Sequence, residues 1–295
     1  MDKGILTASF ATIFIGFNII IASVASKVVH PIALITFGYL LSIVFLFILS
    51  KAIREPIEIA KAFSKFKKDL FSIVLSRGVI GTILLITGFS LVPPIRAVFL
   101  VRLEPVLVFI ISIIILREQP KFRKIALLIV LLFGALIFTT NGTFNIFTEI
   151  TTGDLLIIGA LVFLAYSYIP SSSLSKKINS NTITIVTNLV AAVIFLPILI
   201  LFTPSFASIE INSFYLILAY TITFYVLGLF LWFRALKQTK PWVVSSVLSL
   251  EPISGALLAF FWLGQTLLSI QFIGAAIMVV TTYFISRENL SAEKA

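Results

Sequence analysis

Residues 102–120 read RLEPVLVFIISIIILREQP, and residues 249–267 read SLEPISGALLAFFWLGQTL. Each stretch contains a Leu-Glu-Pro triplet, centred on Glu104 in the first and on Glu251 in the second, and the two glutamates are 147 positions apart. In both stretches the triplet opens a long apolar run. A charged residue followed by proline at the same place in two apolar segments indicates an internal repeat.

The rest of the chain consists mostly of long apolar segments. Of its 295 residues, 60% are hydrophobic and 12% are charged, and the mean hydropathy is +1.16. Soluble proteins contain about a quarter charged residues. A membrane-spanning helix needs about 20 mostly apolar residues. The sequence predicts ten such helices, at residues 4–26, 31–50, 70–91, 94–116, 123–140, 153–174, 182–202, 213–235, 241–263 and 266–286.

The distribution of Lys and Arg orients the predicted helices. With the amino terminus placed in the cytoplasm, 18 of the 22 basic residues fall in inside segments and only Lys27 falls in an outside loop. The other three, Arg77, Arg96 and Arg102, lie within predicted spans. Because cytoplasmic loops carry an excess of Lys and Arg, we predict a multi-pass protein of the cell membrane with both termini in the cytoplasm. The acidic residues of the outside loops are Glu149, Asp154 and Glu210.

The composition excludes several classes of site. The chain has no Cys and a single His, His30, so disulfides, thiolate metal sites and a Cys nucleophile are excluded. It has no glycine-rich phosphate loop, metal-ligand spacing or nucleophile elbow. We expect no cofactor, no metal and no catalytic residue. The net charge of +10 is explained by topology, so the expected partners are the lipid bilayer and a small-molecule substrate, not nucleic acid, with a homodimer left open.

Five predicted spans in each half is an odd number, so the second half must enter the membrane from the opposite side. We therefore predict an all-α membrane fold of two inverted five-helix repeats, at residues 1–140 and 153–287, with a cytoplasmic tail at 288–295. Consistent with inversion, Lys27 falls outside while Lys176, its counterpart 149 positions later, falls inside. Inverted repeats recur in secondary transporters, where two related halves expose one central site to either side.

Both glutamates of the repeat lie deep in their spans. Each is ten positions from the start of its helix, which corresponds to about 15 Å at 1.5 Å per residue and reaches the midplane of a core about 30 Å thick. A charge at that depth is costly unless it is paired or hydrated. Pro105 and Pro252 each remove a backbone hydrogen bond and kink the helix. We expect Glu104 and Glu251 to bind substrate, to carry a proton, or only to fix helix packing.

Two arginines are candidate partners of these carboxylates. Arg77 lies about 10 Å inside its span, and its long side chain reaches toward the midplane. Arg102 is two positions from Glu104 and points elsewhere on an intact helix, so Arg77 is the expected partner of Glu104. Two arginines and two carboxylates suit a zwitterion such as an amino acid, and they equally suit a self-neutralised network without ligand. Arg96, near the outer rim, is expected to extend to water.

Weaker candidates for the site are polar residues near these charges. Asn18 and Tyr166 lie in the first helix of each half, and Ser254 lies about one turn beyond Glu251. Each also fits an ordinary contact between membrane helices. The three tryptophans, which we expect in an aromatic belt at the span ends, are Trp232, Trp242 and Trp262.

The two Glu-Pro segments resemble a pattern of the drug/metabolite transporter superfamily, in its ten-helix EamA branch. The resemblance is carried by residues 102–107 with 116–120, and by residues 250–255 with 263–267, and it extends over nearly the whole chain. It implies two EamA domains, both termini inside, and export or exchange of small metabolites, often amino acids. It also implies a cavity lined by the first, third, fourth, sixth, eighth and ninth helices.

The main hypothesis is a secondary transporter, either an exporter or an exchanger, of a small polar or amphiphilic metabolite. It would work by alternating access, with proton coupling as an option. One alternative is an intramembrane enzyme acting on a lipid-linked substrate, which needs clustered acids, His or metal ligands. Another is a membrane interaction protein that transports nothing, which the short loops disfavour.

Overall fold

The computed structural model of the protein describes residues 3–26, 28–92, 94–117, 122–140, 150–202 and 211–293. These ranges contain helices and turns and no β-strand. Lys27, Glu149 and Glu210 lie outside the described residues, as do residues 118–120 of the first repeated segment and residues 294–295 of the predicted tail.

Ten helices in the described ranges are long and apolar enough to cross a membrane, which confirms the predicted fold class. Six of these helices are unbroken, and the other four are interrupted. The unbroken helices are α1 (Lys3–Ala25), α2 (Pro31–Ile53), α5 (Phe122–Thr140), α6 (Thr152–Ser175), α7 (Ser180–Phe202) and α10 (Ser269–Glu293). The interrupted helices are α3 (59–91), α4 (94–116), α8 (211–238) and α9 (241–263).

The third helix of each half contains a wider, π-helical segment. In α3 the sequence is α-helix Ile59–Ile73, π-helix Val74–Gly81 and α-helix Thr82–Leu91. In α8 it is α-helix Ile211–Tyr220, π-helix Thr221–Gly228 and α-helix Leu229–Gln238. The two π-helical segments are 147 positions apart, and such segments are frequent at functional sites. The predicted start of α3 at residue 70 is wrong, because an amphipathic stretch with exposed lysines extends the helix back to residue 59.

The fourth helix of each half is broken at the Glu-Pro pair. The helix α4 consists of Pro94–Val101 and Glu104–Leu116, and α9 consists of Pro241–Leu248 and Glu251–Leu263. The breaks fall there because proline cannot donate the helical hydrogen bond. Both helices end on a left-handed residue, Arg117 with φ 54° and Gly264 with φ 65°, again 147 positions apart. The repeat is therefore present in the backbone as well as in the sequence.

The contacts between helix ends define two ends of the bundle. At one end, called here the basic end, Lys177 at the end of α6 contacts Asp69 at 3.6 Å, and Asn179 donates to the carbonyl of Pro56 at 2.6 Å. The start of α1 also lies here, because Thr7 reaches Gln238 at the end of α8. Since α1 begins at the end where α6 finishes, the two halves are inverted.

At the opposite end of the bundle, the start of α6 lies against the C-terminal end of α3 and the start of α4. Arg96 of α4 contacts Asp154 of α6 there. A Cβ on Gly153 would meet Val92 at 2.6 Å. The first helix of each half thus crosses over to pack on the third and fourth helices of the other half.

A close approach of α1 to α9 positions the break in α9. A Cβ on Gly16 would lie 2.5 Å from the carbonyl oxygen of Glu251 and would overlap the Oγ of Ser254. Ser254 donates to the carbonyl of Thr12, also on α1, at 3.1 Å. The absent side chain of Gly16 lets the two backbones lie side by side, and so places Glu251 in the bundle interior.

Substituting this glycine tests the close approach. Gly16→Ala should lower the unfolding free energy by about 1–3 kcal/mol, because the added methyl group overpacks a backbone contact. Thermal unfolding in detergent measures the effect. The matched control is Gly159→Ala in α6, where a Cβ would have its nearest neighbour at 3.9 Å. The control should be neutral or stabilised, since alanine favours helix more than glycine does; equal destabilisation of both variants would contradict the packing.

Candidate functional site

A cavity of about 540 Å³ lies in the bundle interior. Its walls come from α1, α2, α3, α4, α6, α7, α8 and α9, so α2 and α7 line it in addition to the six helices that the resemblance implies. Four predicted site residues line this central cavity, namely Asn18, Arg77, Glu104 and Glu251. The cavity extends to Ser26 and Phe89, near the opposite end of the bundle.

The four central charges form two ion pairs. Nη1 of Arg77 lies 3.9 Å from Oε1 of Glu104, as expected. Nη1 of Arg102 lies 3.4 Å from Oε2 of Glu251, and this second pair joins the two halves of the protein. Arg102 reaches across because it lies in the turn between the two segments of α4, where the helix no longer dictates its direction.

The two pairs differ in tightness and burial. The side chain of Arg102 is 5% exposed, whereas those of Arg77 and Glu104 are 18% and 19% exposed. At 3.9 Å the Arg77–Glu104 pair is too long for a hydrogen bond, and Oε1 of Glu104 accepts none. Arg77 instead donates to Oγ of Ser167 at 3.3 Å. The looser pair therefore leaves a buried carboxylate oxygen available to a ligand or a proton.

The first helix of each half holds the π-helical segment of the other half. Asn18 donates to the carbonyl of Tyr220 and to the hydroxyl of Thr223, both at 3.1 Å. Ser167, the counterpart of Asn18 149 positions later, accepts from Arg77 in the π-helical segment of α3. These two polar contacts couple the halves symmetrically beside the cavity.

Three predicted site residues, Arg102, Tyr166 and Ser254, do not line the cavity. Tyr166 is 39% exposed, and its hydroxyl accepts from Ser72 at 3.1 Å. Ser254 fixes α1 to α9 through Thr12. On α6 it is the next residue, Ser167, that faces inward, because neighbouring positions on a helix point in different directions.

Two expectations for the membrane rim are wrong. Arg96 does not extend to water; it is 8% exposed and lies 2.5 Å from Asp154, a residue that also caps the start of α6. Trp232 and Trp242 are fully buried, so only Trp262, which is 48% exposed, fits an aromatic belt. A position near the end of a span is compatible with a side chain at the membrane surface or in the protein interior. Helix packing places Arg96, Trp232 and Trp242 in the interior.

A layer of aromatic side chains closes the central cavity toward the basic end. This aromatic layer consists of Tyr168, Trp232 and Phe233, whose exposure is at most 1%. The ring centroids of Tyr168 and Trp232 are 5.0 Å apart, and the guanidinium of Arg77 lies 4.2 Å from the Trp232 ring. Beyond the layer is a second cavity, of about 640 Å³, at the basic end.

The counterparts of the aromatic layer in the other half are arranged differently. By the offsets of 149 and 147 positions, they are Ile19, Leu85 and Ile86. All three line the central cavity, as Phe233 does, whereas Tyr168 and Trp232 do not. The same offsets that align the Glu-Pro pairs could have identified this layer from the sequence, but nothing in the sequence distinguishes a closed layer from an open one.

The tight ion pair should carry much of the coupling between the halves. Arg102→Met should lower the unfolding free energy by about 3–5 kcal/mol, because it leaves Glu251, whose side chain is 14% exposed, without its partner. Adding Glu251→Gln should recover part of this loss in thermal unfolding. The control is Lys61→Met, because the side chains of Lys61 and its partner Glu58 are 43% and 33% exposed and such a pair should contribute little. Additive effects of the two central substitutions would argue against the pair.

Comparison with known proteins assigns the chain to a family. A curated relative from Methanothermobacter thermautotrophicus strain Delta H, described as an uncharacterized transporter, is 21% identical over 296 residues, covering 96% of this chain and 85% of the relative. A solved structure titled only "Crystal structure of protein" has the same fold, with a TM-score of 0.82, 15% identity, and coverage of 99% of this chain and 100% of that one. The model of the EamA-like transporter family matches residues 2–140 and 151–287. The chain therefore belongs to the EamA-like transporter family.

Proposed function

We propose that this protein is a secondary transporter of the cell membrane that moves a small polar or amphiphilic metabolite by alternating access. The observation that carries the proposal is the central cavity with Arg77 and Glu104 at its inner part, which reaches one end of the bundle and is closed toward the other by the aromatic layer. The excess of Lys and Arg supports a cytoplasmic basic end and, with it, cytoplasmic termini.

The inverted repeat supports a second conformation in which each half adopts the arrangement that the other half has here. In that conformation Ile19, Leu85 and Ile86 would close the cavity, and the aromatic layer would part. The interruptions in α3, α4, α8 and α9 supply the places where the backbone can bend. The metabolite would then leave or enter through the basic end.

The walls of the cavity indicate the kind of molecule that it accepts. They are mainly apolar and aromatic, and Tyr39 and Tyr225 pack with ring centroids 4.5 Å apart. The charged groups are gathered around Arg77 and Glu104. This arrangement suits a small amphiphilic metabolite with a charged or zwitterionic head, such as an amino acid, bound with its apolar part against the aromatic wall. We assign Glu104 to substrate or proton binding, and Glu251 to the pair that joins the halves.

Neutralising the two carboxylates tests the site. Purified protein in liposomes should move a metabolite from a panel that includes amino acids, and Glu104→Gln should lower the initial rate by about tenfold or more, because it removes a cavity-lining charge whose Oε1 accepts no hydrogen bond. Glu251→Gln should also be impaired, through weaker coupling of the halves. The control is Glu58→Gln, since that carboxylate pairs with Lys61 on the surface. Normal transport by both central variants would refute the assignment.

Cross-linking tests the exchange of closed and open layers. The chain has no Cys, so Ile19→Cys with Leu85→Cys is a clean pair. A short bis-methanethiosulfonate should join them in part of the population and stop transport until reductant is added, because their counterparts Tyr168 and Trp232 are in contact. The control pair, Ile19→Cys with Ser64→Cys, should not be joined. If the first pair never reacts with substrate present or absent, the symmetric exchange is wrong.

A further inference from the structure

One wall of the central cavity has no side chain at Gly78, the residue that follows Arg77. Gly78 lines the cavity from the π-helical segment of α3, and its surface is partly accessible. Among the described residues, the atoms nearest to a Cβ added there are Cγ1 of Val74 at 3.6 Å, Cβ of Ala191 at 3.7 Å and the hydroxyl oxygen of Tyr39 at 3.8 Å. These are ordinary van der Waals distances, so the space in front of Gly78 admits further atoms.

The corresponding space in the other half is filled by an aromatic ring. The counterpart of Gly78, 147 positions later in the π-helical segment of α8, is Tyr225. The ring of Tyr225 packs against α2 at Gly38, where an added Cβ would lie 2.3 Å from the ring carbon Cε2. The helices α2 and α7 begin 149 positions apart, so the counterpart of Gly38 is Thr187. No ring therefore crosses from α3 to α7 at this position, and the cavity has a side pocket in front of Gly78.

Two buried polar groups border this side pocket. Tyr39 and Asn188 are 6% and 1% exposed, and both line the central cavity. Asn188 lies three positions before Ala191, so the two residues share one face of α7. The side-chain amide of Asn188 donates to Oγ of Ser42 at 2.8 Å and to the carbonyl of Tyr225 at 3.3 Å. Because a carbonyl only accepts, the second contact fixes the amide nitrogen and leaves Oδ1 of Asn188 as an acceptor.

We propose that the side pocket is the subsite for the uncharged side group of the transported metabolite, and that Gly78 sets the size of that group. Arg77 and Glu104 hold the charged head beside it, as in the proposed function on which this inference rests. A short aliphatic group packs against Ala191, and a hydroxyl or amide at its end donates to Oδ1 of Asn188. The absent side chain of Gly78 is the space that this group occupies.

A size limit follows from this assignment. A side chain introduced at position 78 takes the place of part of the metabolite, so metabolites with long side groups are rejected before those with short ones. The charged head is bound as before, because Arg77 and Glu104 are unchanged. A change confined to the side group distinguishes a subsite from a general loss of transport.

Melting temperatures in detergent test the space itself. Gly78→Ala should melt within about 2 °C of the wild type or above it, since the methyl group meets no described atom closer than 3.6 Å and alanine favours helix. The matched control is Gly38→Ala, which should melt about 4 °C or more below the wild type, because its Cβ would overlap the ring of Tyr225. An equal loss in Gly78→Ala would show that the side pocket is filled, and would overturn the proposal.

Selectivity tests the role of Gly78. Initial rates of uptake into liposomes are compared for glycine, alanine, valine, leucine and phenylalanine, which share one zwitterionic head. Gly78→Leu should lower the rate for the longest side group that the wild type carries, relative to the rate for alanine, by about tenfold or more. Gly78→Ala should lower this ratio less. Since the ratio compares two substrates of one preparation, partial loss of folded protein does not affect it.

The control for selectivity is Gly159→Leu in α6, where an added Cβ has its nearest described neighbour at 3.9 Å and lies outside the residues that line the cavity. This variant should keep the wild-type ratio. A wild-type ratio in Gly78→Leu as well would overturn the proposal.

Binding separates this inference from the proposed function. The rise in melting temperature that each amino acid causes in detergent reports binding without transport. If the wild type binds the panel with a size limit that Gly78→Leu lowers, but moves nothing in liposomes, the side pocket stands and the transporter proposal fails. If the wild type transports and Gly78→Leu changes neither the binding ratio nor the transport ratio, the transporter proposal stands and the side pocket fails. Absence of both binding and transport across the panel overturns the side pocket as a subsite for such side groups.

Discussion

A charge in the middle of a membrane must be paired or hydrated, and this protein places four charges there. The pairing of Arg102 with Glu251 across the two halves, at 3.4 Å, depends on both helix breaks at once. If either α4 or α9 continued as a regular helix, these side chains would not be directed toward each other. The helix breaks, the ion pair and the position of the cavity therefore depend on one another.

Within that arrangement the two pairs have different consequences. The buried Arg102–Glu251 pair connects the halves, whereas the looser Arg77–Glu104 pair faces the cavity and leaves a carboxylate oxygen without a hydrogen bond. Arg77 also stacks on Trp232 of the aromatic layer. A ligand that engages Arg77 would thus disturb a contact of the layer that closes the cavity, which is a direct physical link between binding and opening.

The backbone of the protein is symmetric, but its side chains are not. Helix breaks, π-helical segments and left-handed ends recur at 147 positions. The aromatic layer, by contrast, corresponds to the aliphatic Ile19, Leu85 and Ile86. Larger aromatic surfaces bury more apolar area on contact, so the aromatic layer favours closure at the basic end. Side-chain asymmetry on a symmetric backbone can bias which end is open.

The sequence by itself determined the ten helices, the repeat and the places where α4 and α9 break. The length of an apolar run and the missing amide hydrogen of proline are local properties, so both can be recognised in the sequence without knowledge of the fold. The partner of Arg102, the burial of Trp232 and the pairing of Arg96 with Asp154 were decided only by the tertiary structure. Each depends on how a helix is rotated about its axis and on which helix lies opposite, and in uniformly apolar helices the sequence pattern does not specify that rotation.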